Sequence, residues 1–116
     1  MFNLATITVN FNGAENTIRL LESLGQQTDK DFRIIAVDNK STPEDIQTLQ
    51  NFVEVHKNNF ASLELLKNEI NLGFSGGNNI GYQKSRGEYV LLLNNDTRVE
   101  RNFLEEFVKA FYEIPN

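Results

Sequence analysis

The chain has 116 residues, 40% of them hydrophobic and 23% charged, so a single globular domain is expected rather than two domains or a disordered segment. Sixteen acidic against eleven basic residues leave a net charge of -5, which disfavours binding to nucleic acid through its phosphate backbone. The absence of cysteine removes disulfides, thiolate metal sites and thiol nucleophiles, and the longest apolar run, Tyr89 to Leu93, is far shorter than the ~20 residues that span a bilayer.

Met1 to Leu4 carries no cationic start and Asn10 and Asn12 interrupt any apolar stretch, so the secretory pattern is missing and a cytoplasmic location is the expectation. Leu4 to Val9 is apolar and β-branched and breaks at Asn10-Phe11-Asn12-Gly13, the pattern of a buried strand running into a turn. That segment reads either as a left-handed Asn-Gly turn or as a support that places Phe11 or its backbone against a base. From Glu15 onward Ile18, Leu21 and Leu24 recur at helical spacing, and Gly25 weakens the end. Phe32 to Asp38 is a second buried strand that stops at an acid, within the cluster Asp38-Asn39-Lys40-Ser41-Thr42. Asp38 reads as part of a capping and turn cluster, or as an acceptor for a ring N–H or a ribose hydroxyl. Thr42 is an N-cap candidate, Pro43 fits the first helical position and Asp45 adds early negative charge, so a helix runs to about Lys57 with Ile46, Leu49, Phe52 and Val53 inward. His56 reads as a solvated residue near that helix's end, without a catalytic role.

Leu63 to Leu66 is a third strand, and it leads into Asn71-Leu72-Gly73-Phe74-Ser75-Gly76-Gly77-Asn78-Asn79-Ile80-Gly81, the densest Gly/Asn stretch in the chain. A specialised loop is expected there, followed by a short helix through Ser85. Its glycines do not satisfy the i, i+2, i+5 spacing of a dinucleotide fingerprint, and Gln83 precedes Lys84-Ser85 where a phosphate-binding P-loop has glycine. Asn71, Asn78 and Asn79 supply donors and acceptors that a plain hinge does not need, which favours a ligand loop. Glu88 to Leu93 is the fourth strand and breaks at Asn94-Asn95-Asp96-Thr97; the last helix spans Arg101 to about Glu113 with Phe103, Leu104, Phe107, Val108 and Phe111 along it. Asp96 either caps the turn or the last helix, or holds a hard divalent cation, Mg²⁺ or Mn²⁺, which takes few carboxylates plus substrate phosphates. Such an ion lets an acidic protein bind a diphosphate.

Strands alternating with helices imply an α/β fold, a three-layer parallel sheet with helices on both faces. Ligands of such sheets bind beyond the carboxyl ends of the strands, and the polar clusters after strands 1, 2 and 4 all fall on that edge.

The four motifs Val9 to Gly13, Val37 to Ser41, Asn71 to Gly81 and Leu91 to Thr97, in this order and spacing, resemble those of the family 2 glycosyltransferases. The resemblance covers nearly the whole chain and corresponds to the amino-terminal, nucleotide-binding half of the Rossmann-like GT-A fold, so residues 1–116 are expected to form one domain truncated before an acceptor-binding half. It implies that Asn10, Phe11 and Asn12 lie beside the base and that Asp38 contacts base or ribose. Asn71, Gly73, Gly76 and Gly77 would wall the pocket with Asn78 and Asn79 near it, Asn94 and Asn95 would face the donor, and Asp96 would bind the metal in a DXD-type motif whose first acid is Asn. It further implies transfer of a hexose-type sugar from a nucleoside diphosphate donor, with inversion, to a sugar or lipid-linked acceptor in cell-surface polysaccharide synthesis. The carboxylate base is expected beyond Asn116, which would leave the fragment inactive alone. The Asn78-Asn79 and Asn94-Asn95-Asp96 variants look like those of rhamnosyltransferase-like members, favouring a dTDP- or UDP-sugar, and the activity would sit in the cytoplasm at the inner face of the membrane. The alternatives are a non-catalytic nucleotide-binding or assembly module, and a flavodoxin-like signalling domain that would need acids where Asn10 and Asn12 stand. A fourth strand left at the sheet edge predicts a homo-oligomer.

Overall fold

The computed structural model describes residues 4–86 and 89–113. Chain order is β1 (Leu4–Asn10), α1 (Ala14–Gly25), β2 (Arg33–Asp38), α2 (Pro43–His56), a 3-10 turn (Lys57–Asn59), β3 (Ser62–Lys67), α3 (Gly73–Ser85), β4 (Tyr89–Leu92) and α4 (Phe103–Glu113). The strands form one parallel sheet in the order β3-β2-β1-β4, so the chain reverses its direction of growth across the sheet at β1. The α/β expectation holds, and each strand falls within a residue or so of its predicted span.

Two layers of side chains enclose the sheet. On one face Leu20, Leu21 and Leu24 of α1, Leu49 and Val53 of α2 and Leu104 of α4 pack with Ile34. On the other face Ile7, Ile35 and Val37 are buried with Val9, Leu66, Val90 and Ile80 of α3 packed around them. Thr42 caps α2 as expected, its hydroxyl accepting from the Asp45 N–H at 3.3 Å, with Pro43 in the first helical position. The α4 helix starts two residues later than predicted because Arg101 and Asn102 form a turn. Its entry is fixed by buried Gln27, whose Oε1 accepts from the Leu104 N–H at 2.9 Å and whose Nε2 donates to the Glu100 carbonyl at 2.6 Å. Of the predicted positions, Glu88 and the Phe111 side chain lie outside the described residues.

Two expectations are corrected. The glycine-rich stretch is not a loop: it is helical from Gly73 to Ser85, and only Gly73 has a positive φ, of 76°. The other glycines matter for their missing side chains. A Cβ on Gly81 would lie 2.5 Å from Ile7 Cγ2, and one on Gly77 would lie 3.0 Å from both methyls of Val9, so these residues let α3 press directly onto the sheet. Close packing therefore overrides a composition that is poor for helix formation. His56 is half-buried rather than fully solvated, its ring 4.4 Å from that of Phe52.

Candidate functional site

Parallel register sets Asn10 opposite Asp38 at the carboxyl edge of the sheet. Asn10 is fully buried, and its Nδ2 reaches Asp38 Oδ1 at 2.9 Å, Asp45 Oδ2 at 3.0 Å and Ser41 Oγ at 3.2 Å, while its Oδ1 accepts from the Thr17 hydroxyl at 2.6 Å. Asp38, 2% exposed, also accepts from the Ser41 hydroxyl at 2.6 Å and the Ser41 N–H at 3.1 Å. Asp45 Oδ1 accepts from the Ala14 N–H at 3.0 Å, which satisfies the first turn of α1 where Gly13 has no capping side chain. Both carboxylates are thus held by neutral donors in charge-assisted bonds. Asn10 has no free surface, so it supports the edge instead of lying beside a ligand.

The next residues are tied to the same network and leave one side chain outward. Asn12 adopts a left-handed φ of 52°, its N–H donates to Ser41 Oγ at 2.8 Å, and its Oδ1 accepts from the Thr42 N–H at 2.8 Å. Phe11, between two anchored asparagines, is 50% exposed. Across from it, the buried Asn39 amide donates to the Gly73 carbonyl at 2.8 Å and accepts from Asn68 Nδ2 at 2.9 Å, fastening the entry of α3. Asn71 Oδ1 accepts from the Gly73 N–H at 2.7 Å, and Phe74 stands 58% exposed. These groups bound a cleft of about 280 Å³ lined by Val9, Phe11, Asn39, Asn71, Gly73, Phe74 and Asn95. It opens where the strand order reverses, the place at which open α/β sheets bind ligands.

The turn after β4 closes the cleft. It is held by the Thr97 N–H donating to the Asn94 carbonyl at 3.0 Å, and by Asn95 Nδ2 donating to Thr17 Oγ1 at 3.1 Å. Asp96 is exposed and its carboxylate has no hydrogen-bond or ion-pair partner among the described residues. Since α4 begins only at Phe103, Asp96 caps neither the turn nor that helix. No group of three or more acidic or histidine side chains is arranged for a metal among the described residues. Asp96 therefore fits a cation completed by ligand phosphates and does not fit a site made wholly of protein.

Of the predicted residues, Phe11, Asn71, Gly73 and Asn95 line the cleft; Asn10, Asn12 and Asp38 form the scaffold behind it. Gly77 and Asn78 are buried in α3 while Asn79 and Asn94 are exposed, and none of these, nor Gly76, is among the lining residues. Val9, Asn39 and Phe74 line the cleft without having been singled out, and Thr17 and Asp45 join the scaffold. The available signal for Thr17 was a polar residue within the buried stripe Ala14, Thr17, Leu21, Leu24.

A parallel sheet of this order, with its polar edge gathered at the reversal point, places the chain among the Rossmann-like α/β folds. The match is specific: the family model for Glycosyl transferase family 2 covers residues 6–116, and the chain belongs to that family. It is 30% identical over 96 residues to the amylovoran biosynthesis glycosyltransferase AmsB of Erwinia amylovora, covering 83% of this chain and 31% of that protein. The crystal structure of S. aureus TarS 1-349 in complex with UDP-GlcNAc superposes with a TM-score of 0.82 at 25% identity, over 97% of this chain and 32% of that one. The Pyrobaculum calidifontis mannosyltransferase PcManGT, solved in complex with GDP-Man and Mn²⁺, shares the fold with a TM-score of 0.74 at 20% identity, over 83% of this chain and 28% of that one. The chain spans about a third of the length of the curated relatives it matches. Among the described residues no helix is long and apolar enough to cross a membrane.

Proposed function

We propose that this chain is the donor-binding part of an inverting glycosyltransferase that uses a nucleoside diphosphate sugar, with dTDP- and UDP-sugars favoured. The observation that carries the reading is the cleft at the strand-order reversal, flanked by two exposed aromatic rings, Phe11 and Phe74, and walled by Asn39, Asn71 and Asn95. The rings offer apolar faces to a base, and the amides offer donors and acceptors to base and ribose. Asp38, in the scaffold behind the cleft, accepts one hydrogen bond at Oδ2 within the protein, and a ring N–H or ribose hydroxyl would be its second donor there. Asn94 stands on the ribose side, and the entry of α3 from Gly73 to Gly77, with Asn78 and Asn79 beyond, bounds the sugar side.

Asp96 would hold a divalent cation, Mg²⁺ or Mn²⁺, and such an ion would supply positive charge to the leaving diphosphate. The protein's own contribution here is positional: it fixes the base, excludes water from one side of the cleft and presents one carboxylate. The general base and the acceptor-binding half lie outside these 116 residues in this reading, which is supported by the greater length of the relatives. The acceptor is a sugar or lipid-linked hydroxyl of a cell-surface polysaccharide, consistent with what AmsB is named for, and the reaction runs on the cytoplasmic side.

Fluorescence or calorimetric titration with UDP and dTDP tests the cleft directly. Phe74→Ala should weaken binding of the preferred nucleotide about tenfold, the effect of losing roughly 1.4 kcal/mol of ring contact. An unchanged affinity in a folded Phe74→Ala protein would place the base elsewhere.

A further inference from the structure

We infer that Thr17 is a positioning residue for the metal-binding carboxylate, acting through Asn95. The inference rests on the donor-site reading above and goes beyond it, because Thr17 lies in the first helix, is wholly buried and does not itself line the cleft.

The Thr17 hydroxyl stands between two amides. It donates to Asn10 Oδ1 at 2.6 Å and accepts from Asn95 Nδ2 at 3.1 Å. Because Asn10 Oδ1 takes the hydroxyl proton, the oxygen lone pairs of Thr17 are turned toward Asn95, and the relay has a defined direction. A continuous chain of hydrogen bonds therefore runs from Asp38 through Asn10 and Thr17 to Asn95, the residue adjacent to Asp96.

A second observation supports the same anchor independently. A Cβ on Gly13 would lie 2.8 Å from Asn95 Nδ2, so a side chain at position 13 would displace the asparagine amide from its place against the first turn of α1. The φ of Gly13, -133°, is one that any residue adopts, and backbone freedom is not the reason for glycine there. Space for Asn95 is. Among the described residues, the side-chain hydrogen bonds of Asn95 to Thr17 and, at 3.5 Å, to the Gly13 carbonyl tie residues 94–97 to α1, beside the backbone bond that closes the turn itself.

An exposed, otherwise unpartnered carboxylate can be aimed only by its backbone, so fastening its neighbour is what sets where Asp96 meets a diphosphate-bound cation. Losing the anchor should weaken the metal-dependent part of binding more than base recognition, because Asn95 is one of three amides on the cleft wall while Asp96 alone presents a carboxylate to the cation.

The test is a Mn²⁺ titration of UDP and dTDP binding in the wild-type chain, Thr17→Val, Thr17→Ser and Gly13→Ala, with uridine and thymidine affinity measured in parallel. Thr17→Val and Gly13→Ala should each raise the Mn²⁺ concentration at half-saturation about five- to tenfold, the range expected for losing the one neutral hydrogen bond that holds Asn95; the bond to Asn10 that Thr17→Val also removes bears on stability. Nucleoside affinity should fall less than the Mn²⁺ midpoint rises in both, and Thr17→Ser should restore the wild-type midpoint. Gly13→Ala disturbs Asn95 and leaves the Asp38–Asn10–Thr17 bonds in place, so it reports even where Thr17→Val folds poorly. Unchanged Mn²⁺ midpoints in folded Gly13→Ala and Thr17→Val, with a wild type that does bind nucleotide with metal, would overturn the inference and leave the donor site standing. A folded wild type that binds no diphosphate would overturn both.

Discussion

At the scale of single residues, Asn10 is the centre of the carboxyl edge. Motif reasoning set it beside a base, whereas its amide is spent on Asp38, Asp45, Ser41 and Thr17. Its contribution is to hold two carboxylates and the start of α1 in one arrangement, which gives the exposed Phe11 a fixed platform. Asn10→Ala should cost about 3 kcal/mol in urea denaturation, since several buried partners lose a donor or acceptor together. A cost below about 0.5 kcal/mol, the level of an ordinary surface change, would mean the network is dispensable. In sequence Asp38 read as a turn former or a ligand acceptor and Asp45 as early helix charge, and their shared bond to Asn10 was not legible. Side chains that serve both a cap and a distant strand give no local sign of the second partner.

At the scale of elements, periodicity was sufficient where burial alternates regularly. The spans of β1, β2, α1 and α2 follow from apolar spacing, and Thr42-Pro43 marked the start of α2. Thr42→Ala should lower stability by about 1 kcal/mol through the lost N-cap bond, measurable as a shift in thermal midpoint. The entry of α3 escaped the same reasoning because Gly73-Phe74-Ser75-Gly76-Gly77 has neither helical propensity nor an apolar stripe. What makes it helical is the close seat of Gly77 and Gly81 on Val9 and Ile7, a tertiary fact. Gly81→Ala should destabilise by about 1–3 kcal/mol through overpacking, despite alanine's better helix propensity. A stabilised Gly81→Ala protein would show that propensity decides that helix and packing does not. Phe74 was expected only as part of the Gly73 to Gly77 wall and Asn39 only as part of the turn after β2; the place of both at the cleft depends on where α3 begins.

At the scale of the molecule, the sheet order and the polar edge meet at one cleft, and that convergence, more than any single motif, makes the donor-site account coherent. The α/β class and the edge carrying the site were legible from alternation of elements alone, because parallel strands send every loop that follows a strand to the same side. The sheet also ends at β4 among the described residues, with Leu92 51% exposed beside it. Such an edge predicts concentration-dependent self-association in sedimentation, and a monomer across a wide concentration range would contradict that. The central claim is narrower: the cleft and Asp96 together bind a nucleoside diphosphate through a divalent cation. Calorimetric titration with uridine, deoxythymidine and guanosine diphosphates, with and without Mn²⁺, on the wild type and on Asp96→Ala, tests it most directly. The account predicts Mn²⁺-dependent binding of one nucleotide that is lost in Asp96→Ala; binding that is indifferent to metal and to Asp96, or no binding to a folded protein, would contradict it.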